Sequence, residues 1–189
     1  MDKDLAMKIK TSHIRYIADK IALDLINAKY VEILTNSSDI AKIATKHLED
    51  NIKIESSLED KARNFIDDNI DEIENNGANE KQVFFLLKKR FAEEIGFILS
   101  WDDRFSDLSH KIMDELIDSS IINFKVSEIM IKNLIFKSID TYTKTYKDIS
   151  YKVQDRIKNY KKKLLVGTEE YELIFEKMYE EELKKQGLI

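Results

Sequence analysis

The chain contains no proline in its 189 residues. Proline is the residue that most strongly interrupts a helix, because it lacks a backbone N–H and its ring clashes with the preceding turn. A chain without proline, and with only four glycines, can form long uninterrupted helices. Charged residues make up 35% of the chain and hydrophobic residues 43%, a balance typical of helices with one buried stripe and a charged outer face. We therefore predict an all-α fold.

Apolar residues at helical spacing locate the helices. The first stripe consists of Ile14, Ile17, Ala18, Ile21 and Leu25. This helix is expected to end near Asn27, and the segment YVEIL after it is long enough only for a short extended piece. Further helices are predicted to begin near Ser37, at the capping-box pattern that starts at Ser57, and after Asn79, which has glutamine three positions later.

A second copy of the same pattern begins 91 residues further along the chain. The matches at this offset include Lys20-Ile21 with Lys111-Ile112, Leu25-Ile26 with Leu116-Ile117, and Ile66 with Ile157. The offset is 90 for Gly77 and Gly167, which are expected to end helices, and 88 between KKRFAEEIGFIL and EKMYEEELKKQGL. A small loop deletion would account for this drift. We predict two similar four-helix units in tandem, residues 1–100 and 101–189, packed side by side.

The predicted join contains Trp101, the only tryptophan of the chain. No flexible glycine–serine tract separates the halves, so we expect them to be rigidly linked or packed together. Large aromatic side chains usually lie inside a protein. Trp101 is therefore expected to pack between the halves, with a contact to a partner protein as the alternative.

Several segments resemble one family of bacterial proteins. The run GTEEYELIFEKMYEEELKKQGLI, the run FSDLSHKIMDELIDSSIINF and, in the first half, IADKIALDLINAKYVEI and EKQVFFLLKKRFAEEIGFIL carry the resemblance. They are similar to domain-of-unknown-function family 507 (DUF507), from about Met7 to Leu188. The lysine- and tyrosine-rich residues 140–163 depart from the family pattern. The resemblance implies a helical fold and a bacterial origin, and it implies no catalytic residue.

Composition excludes several classes of site and location. The chain has no cysteine, which excludes disulfides, thiolate metal sites and cysteine nucleophiles. Its first ten residues carry charges where a signal peptide has an apolar run, and no apolar stretch approaches the length of a membrane span. We expect a cytoplasmic protein without a membrane span. We predict no cofactor.

One pattern could bind a metal ion. Asp107, His110 and Asp114 lie at spacings of three and four, on one face of the predicted helix. Carboxylates and an imidazole can hold a divalent cation. The other half has Tyr16, Asp19 and Leu23 at the matching positions, so we favour a solvated helix face and predict no metal site.

Two further patterns are ambiguous between structure and function. The paired acids Glu93-Glu94 and Glu180-Glu181 recur in both halves, but neighbouring acids on a helix point in different directions and pair readily with lysines. A stripe of apolar residues near the C-terminus could dock in the groove of a partner or form part of the core. It consists of Tyr171, Ile174, Phe175 and Met178. We favour the exposed-face interpretation for the acids and the core for the stripe.

The two halves differ most in charge. Residues 55–80 contain nine acids and two bases, whereas residues 144–163 contain eight bases and two acids. These segments are either independent solvated faces, or mutually attracting faces within or between chains, or include an anion-binding site. In the third case Tyr142, Tyr146, Tyr151 and Tyr160 would supply stacking surfaces for a single strand. The candidate anion-binding residues are Lys152, Arg156, Lys158, Lys161, Lys162 and Lys163.

No Gly-rich phosphate loop, nucleophile elbow or HExxH pattern is present in the sequence. We therefore predict a non-enzymatic protein-interaction or assembly module, with a protein partner and with self-association through the acidic and basic faces as one route. The alternative is binding of nucleic acid or another anionic ligand through residues 144–163. The net charge of -5 gives no overall attraction to nucleic acid.

Overall fold

The computed structural model describes residue 9 and residues 11–160, 164–166 and 168–186. Seven α-helices and two short strands occur within these residues. The helices are α1 (Ile14–Asn27), α2 (Ser37–Asp68), α3 (Ile70–Asn75), α4 (Glu80–Glu94), α5 (Trp101–Asp118), α6 (Glu128–Lys158) and α7 (Glu169–Lys185), and the strands are β1 (Val31–Ile33) and β2 (Ile122–Phe124). The predicted all-α fold is confirmed in part, because the chain is mostly helical but also contains a small two-stranded sheet. The predicted end of α1 at Asn27 is confirmed.

The two strands pair with each other, although they lie far apart in sequence. They are antiparallel, with Val31 opposite Phe124, Glu32 opposite Asn123 and Ile33 opposite Ile122. The short extended piece predicted after α1 is therefore half of a two-stranded sheet. Long-range pairing of this kind has no local sequence signal, so the sequence indicated the strand and not its partner.

Four helices form the central bundle. Helix α1 packs against α2 and α6, and α5 packs against α6 and α2. Because each of these helices contributes an apolar stripe, one core joins residues from both sides of position 100. Its largest fully buried members include Ile17, Ile21, Leu25, Ile112, Met113, Leu116, Ile131 and Ile135. The two halves of the chain are thus packed together, as expected from the short join.

Trp101 begins α5 and is partly buried against this core. Its ring lies 4.2 Å from the ring of Phe105, centroid to centroid, in an edge-to-face arrangement. That geometry favours aromatic pairs beyond simple burial. The expected packing role of Trp101 is confirmed.

The helix predicted to begin at Ser57 does not exist as a separate element, because α2 continues through that position to Asp68. No proline or glycine lies between Ser37 and Asp68, and the buried positions continue on one side of the helix through Leu58 and Ala62. Breaking a helix that already buries such a stripe would lose more than the cap gains. Helix α6 is likewise unbroken, so the second half has three helices within the described residues rather than the predicted four.

The predicted helix ends are partly confirmed. Gly77 follows the end of α3 with φ of +62°, a left-handed conformation that suits glycine. Asn79 caps α4, and its side-chain oxygen accepts a hydrogen bond of 3.2 Å from the Gln82 N–H. Helix α2 is preceded by Asn36 rather than by the predicted serine cap. Gly167 lies outside the described residues.

Helices α2 and α6 are much longer than the bundle requires. At 1.5 Å per residue, α2 and α6 span roughly 45–50 Å, whereas α1 spans about 21 Å. Helix α4 packs along the distal part of α2, and α7 packs along the distal part of α6. We call residues 53–94 the first extension and residues 144–185 the second extension. They contain the acidic and the basic segment, respectively.

Candidate interaction surfaces

The first extension is joined to the bundle by a buried cluster of charges. Arg104, at the start of α5, donates hydrogen bonds of 2.6 Å to Asn51 Oδ1 and 2.8 Å to Glu55 Oε2. Lys88 of α4 donates hydrogen bonds of 2.9 Å to Glu55 and to Glu59. The cluster therefore connects α2, α4 and α5 at the base of the first extension.

The charges in this cluster are mutually stabilised. Burial alone would raise the pKa of Glu55, but the positive charge of Arg104 and hydrogen bonds from Lys88 and Arg104 outweigh burial, and the pKa is lowered. Burial alone would lower the pKa of Lys88, but its hydrogen bonds to Glu55 and Glu59 raise it. Glu55 and Lys88 are therefore both charged at neutral pH, and each supplies the opposite charge that the other needs when it is buried.

Sequence reasoning missed this cluster, although a signal was present. Arg104 lies four residues before Leu108 and eight before Ile112, in line with the apolar stripe of α5. A cation at a stripe position is expected to find a buried acid or to reach past the core to water. The sequence could have indicated the buried arginine, but not its partners on α2 and α4.

At the base of the second extension lies a cluster of aromatic rings. The rings of Tyr142 and Tyr146 stack with centroids 3.9 Å apart, and the His13 ring lies 4.2 Å from Tyr146 and 6.1 Å from Tyr179. Burial raises the pKa of the hydroxyls of Tyr142, Tyr146 and Tyr179. The hydroxyls of Tyr142 and Tyr146 are buried without a hydrogen bond of normal geometry.

This placement corrects one part of the proposed anion site. Tyr142 and Tyr146 face the core, so they cannot stack on the bases of a single strand. They are inward because they continue the spacing of Ile135 and Ile139 along α6. Tyr151 and Tyr160 are exposed, so their rings are accessible to a ligand, as the hypothesis of an anion site requires.

Three of the six candidate anion-binding residues lie at the end of α6. Lys152, Arg156 and Lys158 are exposed, but Lys152 and Lys158 are six residues apart and therefore about 120° apart around the helix axis. The guanidinium group of Arg156 lies 3.7 Å from Glu181 and 3.5 Å from Glu182. The other three candidates, Lys161, Lys162 and Lys163, lie outside the described residues. Lys152 and Arg156 thus share one face of α6, on which Arg156 is paired with acids of α7, while Lys158 lies on another face.

The end of the second extension carries exposed apolar side chains beside these cations. The exposed fractions are 43% for Tyr160, 66% for Leu165, 80% for Val166 and 63% for Leu173. The backbone here is held in place: Leu165 O accepts hydrogen bonds from the N–H of Thr168 at 3.2 Å and from its hydroxyl at 2.8 Å. Leu164 packs partly against the core. Leu165 and Val166 therefore project from an anchored turn.

The acidic segment on the first extension is only partly neutralised. Besides Glu55 and Glu59, Asp60 pairs with Arg63 at 3.3 Å, and Lys61 pairs with Glu94 at 3.4 Å. The acids that remain exposed without an ion pair within the described residues are Asp67, Asp68, Asp71, Glu72, Glu74 and Glu80. They lie at the distal end of α2, along α3 and at the start of α4.

Large apolar side chains are exposed on the same extension. Phe65 of α2 is 46% exposed, and Phe85 and Leu86 of α4 are 42% and 69% exposed. Phe85 and Phe84 line a surface cavity of about 730 Å³ together with Arg63, whose guanidinium lies 5.6 Å from the Phe84 ring centroid. The small core beneath, Leu58, Ala62, Phe91 and Ala92, is separate from the main core.

The side chains of the candidate metal-binding pattern do not converge on a common point. Asp107 pairs with Lys111 at 2.8 Å, and His110 lies 3.5 Å from Asp114. All of these side chains are substantially exposed. In the part of the chain that the structure describes, no three metal-binding side chains form a group that could hold an ion.

The remaining patterns have structural roles. Tyr171, Ile174, Phe175 and Met178 pack partly against the main core, which confirms the core interpretation of that stripe. Of the paired acids, Glu93 and Glu94 pair with Lys89 at 3.9 Å and Arg90 at 3.3 Å on their own helix. Among the described residues, no helix combines the length and the apolar character that a membrane span needs.

Comparison with known proteins gives a family and no relative of established function. No curated protein matches the chain at a significant level. The profile of one family, described as a protein of unknown function (DUF507), matches residues 7–188, which is nearly the whole chain. The chain therefore belongs to the DUF507 family.

Proposed function

We propose that the chain is a tandem duplication, with units 1–100 and 101–189, and that it acts as a non-enzymatic protein-interaction module. The duplication is supported by the buried positions of α1 and α5, the helices that precede the two strands. Those of α1 are Ile14, Ile17, Ala18, Ile21, Ala22 and Leu25, and those of α5 include Phe105, Leu108, Ser109, Ile112, Met113 and Leu116. Each member of the second set lies 91 residues after its counterpart.

Polar contacts between the two halves follow the same offset. Ser138 Oγ donates a hydrogen bond of 2.6 Å to Asp24 Oδ2. At the positions 91 residues away, His47 Nε2 lies 2.7 Å from Glu115 Oε2. The residue types in the two contacts differ, but the two pairs of positions that are in contact are related by the same offset of 91 residues. Chance repetition of an apolar pattern would not match contacts across the bundle.

The offset of 88 between the two sequence runs at α4 and α7 is not supported by their packing. The half-buried or buried residues of α4 include Val83, Phe84, Leu87, Lys88 and Ala92. Those of α7 include Ile174, Phe175, Met178, Tyr179 and Leu183, again 91 residues later. The similarity at offset 88 therefore reflects recurring composition, and no loop deletion is needed.

The charged cluster at the base of the first extension and the aromatic cluster at the base of the second occupy equivalent positions in this alignment. Arg104 corresponds to His13, while the positions of Asn51, Glu55 and Lys88 correspond to Tyr142, Tyr146 and Tyr179. The charged cluster joins α4 to the bundle through Lys88, and the aromatic cluster joins α7 to the bundle through Tyr179. Their chemistry differs, being ionic in one and aromatic in the other, while the positions that meet are equivalent, as the proposed duplication requires.

One observation carries the interaction function. Phe65, Phe85 and Leu86 of the first extension correspond to Arg156, Glu176 and Lys177 of the second. The same helical architecture thus carries charged side chains at these positions, and the fold does not require apolar ones. Large apolar side chains exposed without a folding role indicate a surface that a partner covers.

The charge around these side chains defines the partner. The acids without an ion pair, such as Asp67 and Glu72, are exposed on the same extension as Phe65 and Phe85. An amphipathic helix with an apolar face and flanking lysines complements both features. We assign the first extension a basic amphipathic helix of a partner protein as its ligand. The proposal assigns no catalytic step to the chain.

The test replaces the apolar residues by their counterparts. The triple variant Phe65→Arg, Phe85→Glu, Leu86→Lys should retain the helical circular dichroism of the wild type. Binding of a leucine–lysine amphipathic peptide of about four turns, measured by calorimetry, should weaken at least tenfold. Leu23→Asp is the matched control, because Leu23 is 53% exposed on the bundle and its counterpart is Asp114; it should leave binding unchanged.

Two outcomes would overturn this assignment. A peptide of the same composition, scrambled so that it has no apolar face, should bind much more weakly; equal binding would reduce the interaction to charge alone. Light scattering must also show a monomer at the concentrations used. A concentration-dependent oligomer that the triple variant abolishes would make a second copy of the chain the occupant of this surface.

A further inference from the structure

We propose that α4 is a displaceable helix that closes a second helix-binding surface, on the side of α2 that α4 covers. Helix α4 packs along the distal part of α2, and no other described element shares an extensive contact with it. The covered surface presents Glu55, Leu58, Glu59 and Ala62, all of them buried or half-buried. It differs from the exposed surface assigned above, so the inference goes beyond the proposed function and does not rest on it.

The apolar contact between α4 and α2 is small. Phe91 and Ala92 are the residues of α4 that are buried, and they form a small core with Leu58 and Ala62. This core is separate from the main core of the bundle. Helix α4 can therefore leave α2 without exposing the apolar residues of the bundle.

The ionic contacts of α4 add little to the stability of the closed state. Lys88 pairs with Glu55 and Glu59, but the hydration that these buried charges lose offsets most of their attraction. Lys61 and Glu94 pair at 3.4 Å with side chains that are 56% and 44% exposed, and such surface pairs contribute little. The ion pairs set the position of α4 on α2 more than they oppose its release.

A glycine in the left-handed conformation lies in the turn at each end of α4. Gly77 before the helix has φ of +62°, and Gly96 after it has φ of +67°. A Cβ atom at either position would meet no other atom within 4 Å, so these glycines serve the backbone conformation and not close packing. Glycine adopts other conformations at low cost, and hinges are usually a few residues at the ends of elements. The two turns therefore allow α4 to move away from α2 as one body.

Helix α4 itself shows which chemistry the covered surface accepts. The residues that it places against α2 are Phe84, Leu87, Lys88 and Phe91, at positions i, i+3, i+4 and i+7. This spacing is typical of a helix that docks in a groove. The surface therefore fits an amphipathic helix of a partner protein that carries apolar residues at i, i+3 and i+7 and a lysine at i+4.

The lysine gives this pattern its specificity. Lys88 Nζ lies 2.9 Å from a carboxylate oxygen of Glu55 and 2.9 Å from one of Glu59, and the three side chains are at most 15% exposed. A ligand without a cation at i+4 would cover these carboxylates without replacing the lysine, which is unfavourable. Lys89, the next residue, is 70% exposed and lies 3.9 Å from Glu93 of its own helix. A lysine at i+5 therefore points away from α2.

In the closed state, α4 acts as an autoinhibitory ligand. A segment tethered by short turns has an effective concentration on the order of millimolar at its own binding surface. A partner helix must compete with this concentration, so it binds well only when α4 is weakened or when its own contacts with α2 are stronger.

The binding experiment uses the full chain and a fluorescent peptide with the sequence of α4, residues 80–94. Phe91→Ala in the full chain removes the largest buried side chain of α4 and leaves α2 unchanged, so this variant should bind the peptide at least tenfold more tightly than the wild type does. A peptide with Lys88→Met should bind the Phe91→Ala variant at least tenfold more weakly than the unmodified peptide. The Lys89→Met peptide has the same net charge and is the matched control; it should bind as tightly as the unmodified peptide.

Thiol labelling measures the opening of α4 without a destabilised helix. The chain has no cysteine, so each Ala→Cys substitution supplies a single thiol. Ala44 and Ala62 both lie on α2 and are both 0% exposed, but Ala44 belongs to the main core and Ala62 to the small core under α4. Ala62→Cys should react with a maleimide at least about a hundredfold faster than Ala44→Cys. Ala92→Cys should react at the same rate as Ala62→Cys, because one event uncovers both.

Three results would overturn the proposal. Labelling of Ala62→Cys no faster than that of Ala44→Cys would show that α4 opens only when the whole bundle unfolds. Peptide binding by Phe91→Ala that is no tighter than binding by the wild type would show that the covered side of α2 is not the binding surface. Equal binding of the two substituted peptides would reduce the interaction to net charge. None of these measurements uses the variants of the exposed surface, so the two proposals fail separately.

Discussion

Replacing Arg104 by methionine tests whether the buried charge cluster holds the first extension to the bundle. The Arg104 side chain is 7% exposed and that of Glu55 13% exposed, so methionine would fill most of the space without supplying the charge or the hydrogen bonds. Glu55 would keep one cationic partner, Lys88, at 2.9 Å. Asn51 would lose its 2.6 Å hydrogen bond.

Removing one member of a buried ion pair costs about 3–5 kcal/mol, because the other charge remains buried. We expect the lower end, about 3 kcal/mol, since Lys88 still compensates Glu55. With a urea m-value of about 2 kcal/mol per molar, the unfolding midpoint should fall by about 1.5 M. The assay is urea unfolding followed by circular dichroism.

Arg15→Met is the matched control, because it removes the same charge from an exposed pair. Arg15 lies 3.8 Å from Asp19, and the two side chains are 86% and 60% exposed. Its free energy of unfolding should change by less than about 0.5 kcal/mol. Equal effects of the two substitutions would show that Arg104 acts only through net charge.

The pH dependence gives a second criterion. The pKa of Glu55 is lowered in the folded chain from its ordinary 4.5, so the stability from this carboxylate is present above pH 4.5 and is lost as the pH falls through the lowered pKa. The difference between the wild type and Arg104→Met should therefore be full at neutral pH and shrink in acid. A difference that stays constant down to pH values below the lowered pKa would refute the reasoning.

Three further predictions concern buried polar groups. Tyr146→Phe removes a buried hydroxyl without a normal hydrogen bond and should be neutral or stabilising by about 1 kcal/mol in thermal unfolding, whereas a loss of stability would reveal a partner for the hydroxyl. Ser138→Ala should cost about 2 kcal/mol in urea, since the Ser138 hydroxyl reaches the Asp24 side chain across the bundle as well as the Leu134 carbonyl of its own helix; Ser109→Ala, whose hydroxyl donates only to a carbonyl of its own helix, should cost less. Because burial raises the pKa values of Tyr142 and Tyr179, stability should fall as the pH rises above their ordinary value of 10.0, and ultraviolet absorbance should show part of the tyrosinate forming only on unfolding.

The features that could be predicted from the sequence are those with a local or periodic cause. The absence of proline and the apolar spacing indicated long helices, the end of α1 and the cap at Asn79. The break predicted at Ser57 was wrong because a capping box is a local preference, and the continuous stripe from Leu48 through Leu58 outweighs it. The sequence also suggested a repeat at offset 91 that falls to 88 at α4 and α7; the buried positions of these two helices favour 91 there as well, in line with the proposed duplication.

The candidate surfaces were predictable in charge and not in geometry. Counting acids and bases separated residues 55–80 from residues 144–163. The charge count could not show that Tyr142 and Tyr146 face inward. Nor could it show that Arg156 forms an ion pair with Glu182 of α7 or that Glu55 is hydrogen-bonded within a buried cluster. These outcomes depend on which side of a helix meets its neighbour, and that requires the packing of the whole bundle.

The clusters at which the two extensions join the bundle explain why the extensions differ in their ability to open locally. On one side, the charged groups of Glu55 and Arg104 interrupt the apolar surface, so Leu58 and Phe91 belong to a small core of their own. On the other, Tyr142 and Tyr146 continue the main core into the second extension, as far as Leu183.

An extension with a separate core can open locally without disturbing the bundle, whereas one that shares the main core opens only when the bundle does. The exposed phenylalanines proposed to bind a protein partner thus lie on the extension that can adjust to a ligand. In the proposed duplication, this difference follows from four pairs of equivalent positions, which hold Asn51, Glu55, Lys88 and Arg104 at the base of the first extension and Tyr142, Tyr146, Tyr179 and His13 at the base of the second.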